Sequence, residues 1–162
     1  MTKGTILIVD DEENIIKSIT RTLMEDGYAI FNAKSGEEGL QKLHIREVDL
    51  VISDQKMPGM SGINFLKKVQ IDYPDILTIM LTAYGDIETA IDAINEAGIY
   101  KFILKPWNET DLRLTVKRAL ELRQLVMEKY SLLYQVKKRD AILRDLEKKY
   151  PGITKVERDE DA

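Results

Sequence analysis

The sequence predicts a doubly wound α/β fold: a five-stranded parallel sheet with helices on both faces, its last helix extended well past the sheet. Three observations carry this. Five short apolar runs alternate with helix-patterned stretches through roughly the first 120 residues. Three of the runs are nearly continuous in apolar residues, as strands buried on both faces are. The stretches between runs are short, and each has the spacing of a single crossover helix.

The first run, Thr5–Val9, contains Ile6-Leu7-Ile8-Val9 and reads as a central strand. The helix after it carries Ile15, Ile16, Ile19, Leu23 and Met24 on one face and stops at Gly27. The second run, 29–33, is more broken, which suits an edge. Ser35-Gly36-Glu37-Glu38 then reads as a capping box that opens a helix through Leu40 and Leu43. The third run, 50–53, and the fourth, 76–81, are again almost wholly apolar. Helices carrying Phe65, Leu66 and Val69, and then Ala90, Ile91 and Ile94, follow them and end before Pro74 and Gly98. The fifth run, 101–104, suits the other edge, and Asn108 with Asp111 three positions on caps a fifth helix.

That fifth helix has no stop signal where a compact domain would end it. From Asp111 to Tyr150 there is neither proline nor glycine, and Pro151-Gly152 is the first break. Such a helix would span ~60 Å, more than the sheet can cover. Positions 122, 125, 129, 132, 136, 139, 143, 146 and 150 step by threes and fours, and all but Lys129 and Arg139 are apolar. This is a narrow heptad seam, the pattern of a coiled-coil strand. The organisation expected is therefore a domain over 1–122, a helical coiled-coil extension over 123–150 that pairs two copies into a homodimer, and a charged, disordered tail over 151–162.

Composition removes whole classes of chemistry. The chain has 162 residues, no cysteine and one histidine, His44. Disulfides, thiol catalysis, thiolate zinc sites and multi-histidine metal centres are excluded. A net charge of −4 gives no electrostatic support for nucleic-acid or anionic-membrane binding. No apolar stretch approaches the ~20 residues of a membrane helix. Residues 1–3 run directly into the first strand, so no secretory signal is expected and the chain reads as cytoplasmic.

Ligands bind beyond the carboxyl ends of strands in such a sheet. The first run is followed by Asp10-Asp11-Glu12-Glu13 and the third by Asp54; Thr82 closes the fourth, and Lys105-Pro106 follows the fifth. Carboxylates within ~5 Å of one another repel by ~3 kcal/mol per pair at an effective dielectric of ~20. Such a cluster needs a cation, a raised pKa or both. Oxygen-only donors with an open face favour magnesium, which keeps waters and takes up phosphate oxygens. Lys105 and Thr82 can meet a phosphoryl group by charge and hydrogen bond. Glycine-rich nucleotide cradles are missing. Asp54 is the candidate nucleophile, able to form an aspartyl phosphate.

In combination these residues resemble the receiver domain of bacterial two-component response regulators. The resemblance covers roughly residues 4–122. Its motifs are Ile6-Leu7-Ile8-Val9-Asp10-Asp11-Glu12, Ser53-Asp54-Gln55-Lys56-Met57-Pro58-Gly59-Met60-Ser61-Gly62, Leu81-Thr82-Ala83 and Phe102-Ile103-Leu104-Lys105-Pro106. It implies strand order 2-1-3-4-5, an order shared with flavodoxins. It implies that Asp54 takes a phosphoryl group from a histidine kinase, a phosphotransfer protein or a small donor such as acetyl phosphate. Asp11, Asp54 and the backbone carbonyl of Lys56 would ligate magnesium, with Asp10 acting through a bound water. Thr82 and Phe102 would be switch residues, Lys105 would pair with the phosphoryl group, and the Lys105–Pro106 bond would be cis. Phe102 stands where the family often has tyrosine, so a hydroxyl is lost there. Lys56 and Tyr84 occupy the positions that tune phosphoryl lifetime.

The resulting expectation is a regulatory phosphoacceptor that catalyses only its own phosphorylation and dephosphorylation. Its output would pass through helix 4, strand 5 and helix 5 into the C-terminal helix. Two rivals stay open. One is a metal-dependent phosphatase using an aspartyl phosphate, although Lys56 stands where its second aspartate would be. The other is a constitutive dimerisation scaffold.

Overall fold

The computed structural model describes residues 3–154. Five strands, β1 (Thr5–Val9), β2 (Ala29–Ala33), β3 (Leu50–Asp54), β4 (Leu77–Ala83) and β5 (Lys101–Lys105), form one parallel sheet in the order β2-β1-β3-β4-β5. The helices are α1 (Glu13–Met24), α2 (Gly36–Ile45), α3 (Gly62–Asp72), α4 (Ile87–Ala97) and α5 (Glu109–Lys149), with a 3-10 turn, Tyr84–Asp86, ahead of α4. This is the predicted doubly wound fold, with the two broken runs at the edges.

Alternation along the strands sorts the core into two layers. Leu7, Val9, Val51 and Met80 face Leu43 of α2, Phe65, Leu66 and Val69 of α3, and Ala90, Ala93 and Ala97 of α4. Ile6, Ile8, Leu50, Ile52, Ile79 and Leu81 face Ile16, Ile19 and Leu23 of α1 and Leu112, Val116 and Ala119 of α5. The β1, β3 and β4 residues named here are fully buried, which is why their runs lack polar alternation.

Local signals read in the sequence act as physical caps. Ser35 Oγ accepts from Glu38 N–H at 3.1 Å, and Glu38 reaches back to Lys34 N–H at 3.0 Å. Asn108 Oδ1 accepts from the N–H groups of Thr110 and Asp111 and starts α5 at Glu109. Three strands end later than their apolar runs: β3, β4 and β5 continue through Asp54, Ala83 and Lys105. Pairing carries them on, since Asp54 sits opposite Leu81 and Ala83 opposite Lys105 in the ladders. β4 also starts at Leu77 rather than Ile76.

The described residues fall into two compact units divided after Arg123. Within the first, Arg123 Nη1 pairs with Asp49 Oδ1 at 2.6 Å and Arg123 Nε donates to the Asp75 carbonyl at 3.0 Å. Asp49 Oδ2 in turn accepts from Thr5 N–H at 2.8 Å, so α5 is tied to the amino-terminal edge of the sheet. In the second unit, the seam residues Leu125, Leu132, Val136, Leu143 and Tyr150 are exposed. Four residues of the expected tail are among those described. Residues 151–154 form a turn in which the Glu147 carboxylate accepts from Gly152 N–H, Thr154 N–H and Thr154 Oγ–H. The rest of that tail, 155–162, lies outside the described residues. Among the described residues no helix is long and apolar enough to cross a membrane.

Candidate functional site

Parallel strands bring their carboxyl ends to one rim, and the central position of β1 and β3 decides what meets there. Asp10 follows β1 directly and Asp54 is the last residue of β3, its neighbour in the sheet. Asp10 and Asp54 are buried, whereas Asp11 is exposed. One carboxylate oxygen from each of Asp10, Asp11 and Asp54 lies within 4.8 Å of the other two. From the end of β5, Lys105 Nζ reaches Asp54 Oδ1 at 3.0 Å and stands 3.9 Å from Asp10 Oδ2. Thr82, opposite Leu104 in the ladder, is buried, and its hydroxyl has no hydrogen-bond partner.

The two buried acids are held differently. Asp54 Oδ1 accepts from Gln55 N–H at 2.9 Å and faces the Lys105 ammonium. Asp10 Oδ1 accepts from Glu12 N–H at 2.8 Å, but its buried Oδ2 accepts no hydrogen bond. Burial raises the Asp10 carboxyl to about 6, helped by the charges of Asp54 and Asp11 and opposed by the Glu12 N–H and Lys105. An orphaned buried carboxylate oxygen beside two further carboxylates is a donor set short of a cation. All its donors are hard oxygens, so the residues fit a hydrated divalent ion of the magnesium type.

The loop after β3 is fixed from beneath. Gly62 N–H donates to the Gln55 carbonyl at 2.9 Å and Ile63 N–H to Gln55 Oε1 at 2.8 Å. A Cβ on Gly62 would stand 2.1 Å from the Asp54 carbonyl oxygen. Met57 packs into the core under this loop. Phe102 is half-buried against the α2–α3–α4 layer, and the Lys105–Pro106 peptide is cis. Tyr84 is exposed, as is His44, which stands apart from the site.

The structure thus brings Asp10, Asp11, Asp54 and Lys105 together and puts Thr82 at the adjoining strand end. Sequence reasoning missed Asp86, whose Oδ2 pairs with Lys56 Nζ at 3.2 Å. It also missed the role of Gly62. The first is a contact across thirty residues that nothing local marks; the second closes the Ser53–Gly62 motif, but its helical backbone gives no sign of its close approach to Asp54.

Comparison with known proteins agrees with this geometry. Residues 6–117 match the family model described as the response regulator receiver domain. The chain is 36% identical over 142 residues to the hydrogenase transcriptional regulatory protein HoxA of Cupriavidus necator, covering 88% of this chain and 29% of that protein. It is 37% identical over 128 residues to the C4-dicarboxylate transport transcriptional regulatory protein DctD of Rhizobium meliloti, covering 79% and 28%. The chain therefore spans under a third of the length of these curated relatives. Among solved structures it is similar to a response regulator receiver domain protein from Clostridium thermocellum, with TM-score 0.71, 34% identity and coverage of 76% of this chain and 98% of that one. It is also similar to NtrX from Brucella abortus, with TM-score 0.76, 31% identity and coverage of 89% and 34%.

Proposed function

The chain belongs to the response regulator receiver family, and from that premise we propose that it is a cytoplasmic switch phosphorylated on Asp54 by a histidine kinase or phosphotransfer protein. The observation that supports this most is the convergence on Asp54. A lysine ammonium stands 3.0 Å from one of its oxygens, two further carboxylates adjoin it, and an unpartnered buried hydroxyl sits at the next strand end.

In the proposed step an Asp54 oxygen attacks the phosphorus of a phosphohistidine. The P–N bond breaks, and its electron pair leaves with the imidazole nitrogen, which takes a proton. Asp10, Asp11, Asp54 and the Lys56 carbonyl would hold magnesium, which when bound neutralises charge on the incoming phosphoryl oxygens. Lys105 then leaves the Asp54 carboxylate for a phosphoryl oxygen, and Thr82 donates its free hydroxyl to another. Phe102 and the surface of α4, β5 and α5 follow as the readout. The chain acts on no other substrate in this reading.

Incubation with acetyl phosphate and magnesium tests the reading. The intact mass is expected to rise by one phosphoryl group that maps to Asp54, and EDTA or Asp54→Asn is expected to prevent it. An adduct elsewhere, or steady turnover of a general phosphate ester, would overturn it.

The exposed heptad seam of α5 supports a second part of the proposal, a parallel homodimer through residues 122–150. Seam leucines left in water by one chain are covered by the same leucines of another. Leu132→Glu with Leu143→Glu is expected to reduce the mass measured by light scattering from dimer to monomer. Retention of the dimer in that variant would refute the coiled coil. Repeating the wild-type measurement with beryllofluoride shows whether pairing follows phosphorylation.

A further inference from the structure

Asp86 occupies the N-cap position of α4 yet accepts no hydrogen bond from that helix. Its backbone, at φ −112° and ψ 25°, also departs from the extended geometry of a working cap. Ser35 and Ser61, at ψ 162° and 158°, have that geometry, and each side chain accepts an N–H three residues on. The Asp86 carboxylate is turned to Lys56, 3.2 Å away, on the loop two residues beyond Asp54. One carboxylate thus has two competing sets of donors within reach of its position: the N–H groups of the first turn of α4, which it does not cap, and an ammonium at the rim of the phosphoacceptor site.

The helix it would cap is lightly anchored. α4 contributes only Ala90, Ala93 and Ala97 to the core, where α1 and α3 contribute isoleucine, leucine, phenylalanine and valine. Gly85, beside Asp86 in the preceding turn, has no neighbour within 4 Å of where a Cβ would stand. A cap worth about 1 kcal/mol can shift the start of such a helix.

We infer that Lys56 and Asp86 form a latch that holds the start of α4 uncapped until a phosphoryl group on Asp54 draws Lys56 away. The acyl phosphate adds negative charge and three acceptor oxygens two residues from Lys56, competing with Asp86 for its ammonium. Asp86, released, rotates to extended ψ and accepts from the N–H of Glu88 or Thr89. Phosphorylation is thereby written into α4 by a side chain that touches neither the acceptor nor the metal. This inference rests on Asp54 carrying the phosphoryl group.

Amide hydrogen exchange at Glu88 and Thr89 in the full chain, with magnesium and with or without beryllofluoride, tests it. In the wild type, exchange at one of these amides is expected to slow about five-fold on adding beryllofluoride, the value of one N-cap. Lys56→Met is expected to show the slow rate without beryllofluoride, and Asp86→Ala the fast rate under both conditions. Bound beryllofluoride, seen by fluorine NMR, with unchanged rates in the wild type would overturn the latch. So would fast exchange in Lys56→Met. A missing bound fluorine signal would instead overturn the assignment of Asp54, and the latch with it.

Discussion

Without divalent cations at pH 7.5, Asp10→Asn is expected to be more stable than the wild type by about 2–3 kcal/mol. The buried Asp10 carboxyl has its pKa raised to about 6 in the folded chain from an ordinary value of 3.8, with burial as the largest cause. Between those values the folded state keeps a proton that the unfolded state releases, so stability falls as pH rises. The contribution of protonated Asp10 is fully present below pH 3.8 and is lost as pH passes 6. At about 1.4 kcal/mol per unit, the ionised carboxylate costs about 3 kcal/mol at neutral pH. Asparagine keeps the volume and the oxygen that accepts from Glu12 N–H, and removes the charge. Denaturant unfolding at pH 4 and pH 7.5 checks this, with the two proteins converging at pH 4. Millimolar magnesium is expected to narrow the gap at pH 7.5, since only the wild type has its full set of oxygens to bind it. Equal stabilities at pH 7.5 in EDTA would contradict a net cost of burying the Asp10 charge beside Lys105.

The legibility of this fold and site divides along the same line between local and distant causes. Ile6-Leu7-Ile8-Val9 and Leu50-Val51-Ile52 could be read as central strands because burial on both faces removes polar alternation, a property visible in each run alone. Ser35 and Asn108 could be read as caps because the amides they serve lie two or three residues away. The strand ends were less legible. Asp54 and Lys105 look like loop residues by composition, but hydrogen-bonded neighbours carry them into the ladder. The acidic cluster was visible as strand-end carboxylates. The unequal treatment of Asp10 and Asp54 was not, because it depends on which oxygen the Lys105 ammonium and each backbone N–H reach. The turn at 151–154 was also missed, since a charge-rich tail gives no sign that Glu147 will gather three donors.

Gly62 shows how far a distant cause can reach, and Gly62→Ala is expected to cost about 3 kcal/mol or more. Gly62 has no positive φ, so alanine's backbone preference is no obstacle, and at the first position of a helix alanine would ordinarily be favoured. The obstacle is the approach of α3 to the end of β3. The added Cβ would stand 2.1 Å from the Asp54 carbonyl oxygen and 2.8 Å from Gln55 Cα, both backbone atoms that no rotamer change can move. Relief requires the start of α3 to withdraw, which breaks the Gly62 N–H to Gln55 O bond of 2.9 Å and the Ile63 N–H to Gln55 Oε1 bond of 2.8 Å. Overpacking with loss of two such bonds falls at the severe end of single substitutions. For a domain of this size the melting temperature is expected to fall by about 10 °C. The same displacement moves the Asp54 carboxylate relative to Lys105, now 3.0 Å away, so phosphoryl uptake from acetyl phosphate is expected to fall even at temperatures where the variant remains folded. Calorimetry and uptake measured together separate the two effects. A melting temperature within about 2 °C of the wild type, well under 1 kcal/mol, would mean that α3 does not press on the acceptor strand as described. Lost stability with undiminished uptake would mean that the backbone under Asp54 can shift without moving its carboxylate.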